Sequence, residues 1–422
     1  MYIIRSFLLS VSLLVLIGCS GGEADYTLEE VNPDLPSRFI DDAVEGMEYL
    51  RSNGESGVTA KGGKFFYKRG EAVSFYMGAL LLGESRGASV ITPRELVAKQ
   101  KRIEEPEINN RVRLMLALDR DPQRIGIQID ETLRIQAQEW NSSIDFGKSE
   151  SNFTTEVVRV THGEISVLPT AAEANTHFSK TLRCAYSGAY QGAWDLPDSN
   201  ESSGYVGVMV QANGFVVVMG DGQTIGDQNE SVIYVLADHD INAGAYTFRT
   251  DTYYYYNRTT RTLDTVPGGA TITGGGINTA YDQIEGTFTN GTESGSYRVV
   301  RADSSQNAAY RFTGFGDVPV DDLGNYTTIG MIIMDVDPDG SVSGLIHDIR
   351  DTTIQPELQG SADFKSGVVD IEVHMPGEVS LLQGTIDFSD TSNPQELTWT
   401  NSEGNVTYGR VRLDGCQLQA VD

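Results

Sequence analysis

Hydrophobic and polar positions change their spacing several times along this chain. Phe7 to Ile17 is an apolar stretch of eleven residues broken only by Ser10 and Ser12. A bilayer-spanning helix needs about 20 residues, so this run is too short to cross and reads as the h-region of a signal peptide, with Arg5 ahead of it. Residues 20–37 are polar, contain Pro33 and Pro36, and read as a tether. From Arg38 to Gly83, apolar positions such as Val44, Met47, Phe65, Val73, Phe75 and Leu80 punctuate glycine-containing turns, which predicts short strands in a small sheet. Thr92-Pro93-Arg94-Glu95-Leu96 carries the marks of a helix start, with Thr as cap and Pro in the first turn. Val112, Met115 and Leu116 predict a helix over Asn110–Leu118. Ala171, Ala174, Phe178 and Leu182 behind Thr170 predict another over Thr170–Leu182. The charged stretch from Arg94 to Arg113 reads as a solvated helical face.

From Cys184 onward the pattern is all-β. About sixteen short alternating stretches are separated by Gly, Asn and Asp turns. They fall into two similar halves. Gly207-Val208-Met209-Val210 leads to Asn213-Gly214, and Gly330-Met331-Ile332-Ile333 leads to Asp339-Gly340, each a hairpin signal. The expected fold is therefore mainly β. A small α+β module (38–182) is followed by tandem antiparallel β-barrel or sandwich units over 183–303 and 304–422. Closure would remove exposed strand edges. One larger barrel or sandwich made from both halves is the alternative. Gly214 to Gly286 spans 72 residues where Gly340 to Gly384 spans 44, so the first half holds about 28 extra residues. They are expected near Ala245 to Gly276, around Tyr253-Tyr254-Tyr255-Tyr256. Elaborations of this kind on a repeated scaffold often carry binding.

Charge sharpens the division. The 422 residues carry 31 Lys and Arg against 59 Asp and Glu, a net charge of −28. Residues 19–182 hold 19 basic and 26 acidic side chains, and residues 183–422 hold 11 and 33. Such an excess excludes nucleic acid as a partner, because phosphate backbones are held by Lys and Arg.

The sequence Leu16-Ile17-Gly18-Cys19-Ser20-Gly21-Gly22 resembles the lipobox of bacterial lipoproteins. That resemblance implies a signal peptide over 1–18, lipidation of Cys19, a tether over 19–37, and membrane attachment through the N-terminal lipid. Ser20 after the cysteine is compatible with the outer membrane. The motifs Ala43-Val44-Glu45-Gly46-Met47-Glu48-Tyr49, Gly63-Lys64-Phe65-Phe66-Tyr67-Lys68-Arg69-Gly70-Glu71 and Leu118-Asp119-Arg120-Asp121-Pro122 are similar to an adhesin-like N-terminal module of Gram-negative surface lipoproteins. This likeness covers about residues 38–182 and implies a location and a scaffold rather than a reaction. With Cys19 lipidated, Cys184 and Cys416 remain. They stand near the two ends of the β-rich region and are expected to form a disulfide in an oxidising compartment, two separate buried thiols being the alternative.

No catalytic signature holds, so no catalytic residue is assigned and binding is expected instead of catalysis. His162, His177, His239, His347 and His374 are scattered, and none forms an HExxH pair. Asp335-Val336-Asp337-Pro338-Asp339-Gly340 begins like a calcium loop, but the position of the bidentate Glu is Ile346. An acidic β-turn is one reading and a partial Ca2+ site on Asp335, Asp337 and Asp339 the other. Tyr253, Tyr254, Tyr255 and Tyr256 alternate faces on a strand. Either one pair packs inward while the other covers the surface, or the four make an aromatic platform for a glycan or peptide. Asp238-His239-Asp240 reads as a solvated turn, a histidine raised in pKa by its flanking carboxylates being the alternative. The functional expectation is a cell-envelope binding module for a surface polymer, peptide or partner protein. A barrel-type carrier of a small apolar ligand is the second reading and a hydrolytic enzyme the third.

Overall fold

A computed structural model of the chain describes residues 32–98, 101–121, 124–196, 203–221, 231–236, 246–257, 259–268, 270–277, 282–289, 294–302, 305, 307–321, 323–350, 354–391, 393–419 and 421. Cys19 and Asp238-His239-Asp240 lie outside these residues.

The N-terminal module alternates short strands and then turns helical. Its strands are β1 (Leu35–Phe39), β2 (Val44–Glu45), β3 (Glu48–Arg51), β4 (Ser56–Val58), β5 (Lys64–Tyr67), β6 (Ala72–Met77), β7 (Leu80–Arg86) and β8 (Val90–Ile91). Helix α1 (Pro106–Leu118), β9 (Ile127–Gln128), α2 (Glu131–Ala137), α3 (Glu150–Val160) and α4 (Ala171–Tyr186) follow. The strands form three small sheets, β5-β1-β8, β4-β3-β6-β7 and β2-β9. Strand β1 takes up Leu35 to Ser37, which the sequence assigns to the tether. Helix α4 starts where the sequence places it, at a capping box in which Thr170 accepts from the Glu173 N–H and Glu173 accepts from the Thr170 N–H.

Two expectations fail here. Thr92 and Glu95 do make their capping contacts, yet only a turn follows and α1 begins at Pro106. Arg94 and Leu96 are both buried, and a two-residue spacing does not fit one helix face. The Arg94–Arg113 stretch is not a solvated face either. Arg113 is 2% exposed, donates to Pro169 O, Asn110 Oδ1 and Thr154 Oγ1, and lies over the Phe153 ring.

The β-rich region is mainly β with barrel units, as its alternation predicts. Its first unit runs β10 (Gly188–Asp195), β11 (Ser203–Val210), β12 (Val216–Asp221), β13 (Ser231–Leu236), β14 (Tyr246–Arg249), β15 (Thr252–Asn257), β16 (Thr262–Pro267), β17 (Thr271–Ile277), β18 (Gln283–Thr289) and β19 (Ser294–Arg301). Its second runs β20 (Tyr310–Pro319), β21 (Tyr326–Val336), β22 (Ser341–Asp348), β23 (Glu357–Ala362), β24 (Val368–Met375), β25 (Glu378–Thr385), β26 (Gln395–Asn401) and β27 (Thr407–Gln417). The second unit is a closed eight-stranded barrel, β27 pairing back onto β20. The first is a half-barrel, an open ten-stranded sheet with β14 and β16 at its edges.

Both units share a plan. Each first strand lies between its second and its last, β10 between β11 and β19 and β20 between β21 and β27. Both second hairpins close the same way. Gln211 N–H donates to Phe215 O and Gly214 N–H to Gln211 O, and Asp337 N–H donates to Ser341 O and Gly340 N–H to Asp337 O. Gly214 and Gly340 hold positive φ in these turns. This equivalence aligns Val210 with Val336, so the strand glycines Gly207 and Gly330 are not counterparts. The surplus of the first unit includes the hairpin β15–β16, within the segment singled out by length. Strand β15 pairs with β13, Ile233 opposite Tyr254, in the place where β24 pairs with β23 in the barrel.

Candidate functional site

Helix α4 ends where the three parts of the chain meet. Cys184 near its C-terminus is disulfide-bonded to Cys416 on β27, as the cysteine count predicts, with Cα atoms 5.8 Å apart. Arg301, ending β19, donates to Ser187 O at 2.5 Å, to Ala185 O at 2.7 Å and to Tyr190 Oη at 2.7 Å. A cation here satisfies carbonyls left over at a helix C-terminus and complements its dipole. Arg311 on β20 donates to the same Ser187 O at 3.2 Å. Its Nε and Nη2 form a two-pronged pair with Asp335, at 2.8 and 3.0 Å, and both partners are buried.

Beside this junction lies a cavity of about 400 Å³. Arg38 and Lys64 line it from β1 and β5, Arg301 and Arg311 from β19 and β20, with Asp282, Ser305 and Asn307 among the other polar groups. Phe66, Pro36, Val90 and Leu418 contribute apolar wall. Arg38 and Lys64 face each other directly across the antiparallel β1–β5 pair. Like charges at that position weaken a sheet. Lys64 Nζ donates to Asn307 Oδ1 at 3.0 Å. The Nε and Nη2 atoms of Arg38 are buried and have no hydrogen-bond partner among the described residues. Burial, reinforced by the neighbouring Arg311 charge, pulls the Arg38 guanidinium down to about 10. Burial and the Arg38 charge also lower Lys64. Gly62 forms part of the surround: with φ +76°, a Cβ there would lie 2.3 Å from Gln419 Oε1 and 3.3 Å from Arg38 Nη2. The cavity is thus a local concentration of positive charge on a strongly acidic chain.

The residues singled out by sequence fall elsewhere or have other uses. Asp335 is committed to Arg311 and also accepts the Ser305 N–H. Asp337 accepts from Ser305 Oγ, and Asp339 holds the N–H and hydroxyl of Ser341 in the turn. Asp335 and Asp337 meet at Ser305, while Asp339 turns away to Ser341, so the three carboxylates do not converge on one point. Tyr254 packs with Leu263 against Met209 and Met331 between sheet and barrel, and Tyr256 packs on the barrel's own cluster. From the opposite face of β15, Tyr255 donates to Asp264 and the Tyr253 ring lies beside Gly268. The four tyrosines therefore divide between two faces.

A second cluster combines His177 on α4 with Asp41 and Asp42 after β1. His177 Nε2 lies 3.2 Å from Asp41 Oδ1, and Thr181 Oγ1 donates to Asp42. Burial alone would lower the imidazole, but the charge of Asp41, 3.2 Å away, prevails and holds it at about 9. It is a cation at neutral pH, paired for structure, and not a free base. Nothing in the spacing of Asp41 and His177 announced this pair.

These features define a mainly β scaffold with a closed barrel, compatible with a binding or carrier module, and a basic cavity at its junction with the N-terminal module. No family model, curated protein or solved structure matches the chain.

Proposed function

We propose that this chain is a cell-envelope lipoprotein, anchored through lipid on Cys19, whose β-rich region and N-terminal module together form a binding module for a surface polymer, peptide or partner protein. The junction cavity carries the reading. It is concave, oppositely charged to the rest of the chain, and lies beside the end of α4, which a disulfide ties to β27. Binding sites are typically clefts of this size with a few placed polar groups. The disulfide supports an oxidising compartment. A carrier of apolar ligands fits less well, because the barrel's inward positions are large and interlocked. Phe312, Met334, Ile371, Leu382 and Trp399 belong to one buried cluster, and the Phe388 ring meets those of Tyr310 and Phe312 at 4.9 and 6.1 Å.

Two measurements test the proposal. Cys19→Ala should move the protein from the membrane to the soluble fraction of its host cell, and continued membrane retention would overturn the anchor. Glycan and peptide arrays probed with the purified chain should give saturable hits that Arg38→Met weakens. Arrays without a saturable hit would overturn the binding module.

A further inference from the structure

We propose that the junction cavity holds a two-oxygen anion, the carboxylate or phosphate group of a small organic ligand, between the Nε–Nη2 edge of Arg38 and the ammonium of Lys64. The inference rests on reading this cavity as the binding site and names the chemistry it would recognise.

Arginine presents Nε–H and Nη2–H side by side, a fork that matches two oxygens of one carboxylate or phosphate. Arg311, lining the same cavity, shows the satisfied form: its Nε and Nη2 reach the two oxygens of Asp335 at 2.8 and 3.0 Å. Arg38 offers the same two donors, both buried, and neither has a partner among the described residues. Buried donors of a charged group are rarely left in that condition, because the lost hydration is not recovered. Asp335 and Asp337 are near enough to favour the Arg38 charge, yet neither accepts from these two donors; Asp335 is held by Arg311 and Asp337 accepts from Ser305 Oγ at 2.6 Å.

Register supplies a second, independent observation. Arg38 stands directly opposite Lys64. Two cations facing each other across a sheet cost stability, and an anion seated between them converts that repulsion into a clamp. The walls describe the rest of the ligand. Phe66 is 52% exposed at the cavity and Pro36 and Val90 lie beside it. An apolar or aromatic body behind the anionic head fits such a surface. The cavity of about 400 Å³ suits a small molecule or one terminal unit of a polymer.

The test is titration calorimetry on the purified chain with phenyl phosphate, benzoate and neutral benzamide. One or both anions should bind at one site per chain and benzamide should not, and the tighter anion distinguishes phosphate from carboxylate. Arg38→Lys keeps the charge and loses the fork, so the affinity should fall by about 10-fold or more. Lys64→Met should weaken binding while leaving the fork intact. Arg38→Met should abolish binding with an unchanged or raised melting temperature, since it removes two buried donors that have no hydrogen-bond partner among the described residues. If Arg38→Met does not fold, Arg38→Lys and Lys64→Met decide. The proposal falls if neither anion saturates the chain below about 10 mM, if benzamide binds as tightly as benzoate, or if the folded variants bind like the parent. Saturable array hits without anion binding would overturn this inference and leave the binding module standing. Anion binding without array hits would do the reverse.

Discussion

In the barrel, Phe312 of β20, Ile371 and Val373 of β24, Leu382 of β25 and Val411 of β27 point inward and pack on one another. In the ten-stranded sheet, the two faces of β11 go to two different neighbours. Val206, Val208 and Val210 pack with Ile108 and Val112 of α1 and Phe178 and Leu182 of α4. Met209, between them on the opposite face, packs with Val217, Met219 and the barrel residues Met331 and Ile349. One unit owns its core and the other borrows both of its covers. The units share a plan, so a local cause is needed, and the hairpin β15–β16 supplies it. By pairing with β13 it takes the edge that β24 takes in the barrel, and the first sheet stays open. An open sheet then needs helices on one side and a barrel on the other. That requirement brings α4, β19 and β20 together and creates the junction cavity.

The largest expected effect tests whether the barrel core is private. Phe312→Ala removes a ring buried in the closed unit and should cost about 3–5 kcal/mol. Hydrogen exchange should accelerate first in β23 to β26, with β10, β11 and β19 protected as before. Equal acceleration in both units would mean that they share one cooperative core.

The next effect concerns the borrowed covers. The Cys184–Cys416 bridge ties α4, which covers the open sheet, to the last barrel strand across 232 residues of sequence. Replacing both cysteines with alanine should cost about 2–5 kcal/mol. Thermal unfolding of the variant should then separate into two steps, the open sheet melting before the barrel. An unchanged single transition would show that packing alone holds the covers in place.

How much of this was legible depends on whether a signal is local. Strand β24 reads directly, because Val369, Ile371 and Val373 are buried while Asp370 and Glu372 face water. The α4 start and the Asn213-Gly214 and Asp339-Gly340 turns are equally local. The choice of an open sheet depends on which edge β15 pairs with, and that is a long-range competition between strands. Arg38 and Lys64 are 26 positions apart and meet only through the β1–β5 register. Arg113 looks like surface because its partners, Pro169 O and Thr154 Oγ1, lie far along the chain.

The smallest effect sharpens the seam between the two units. His347 on β22 is 2% exposed, its Nδ1 lies 3.1 Å from the hydroxyl of Tyr205 on β11, and its strand neighbour is Met331 at the seam. Burial pulls its pKa down to about 4. The unfolded imidazole titrates near 6.5. Between those values the unfolded chain takes up a proton that the folded chain refuses. The stability is therefore fully present above 6.5 and is lost as pH falls toward 4, by about 2 kcal/mol at pH 5. His177 carries the opposite sign. Its pKa is held at about 9 by Asp41, so its contribution is fully present below 6.5 and fades as pH rises through 9. Acid should therefore loosen the sheet–barrel seam while leaving the α4 clasp intact. Denaturation between pH 7 and pH 5 should show this loss in the parent chain and a flatter profile in His347→Leu. That variant gives up about 1 kcal/mol at every pH with the Tyr205 hydrogen bond. An equal slope in parent and variant would assign the acid sensitivity to other groups and leave the seam without a titrating residue.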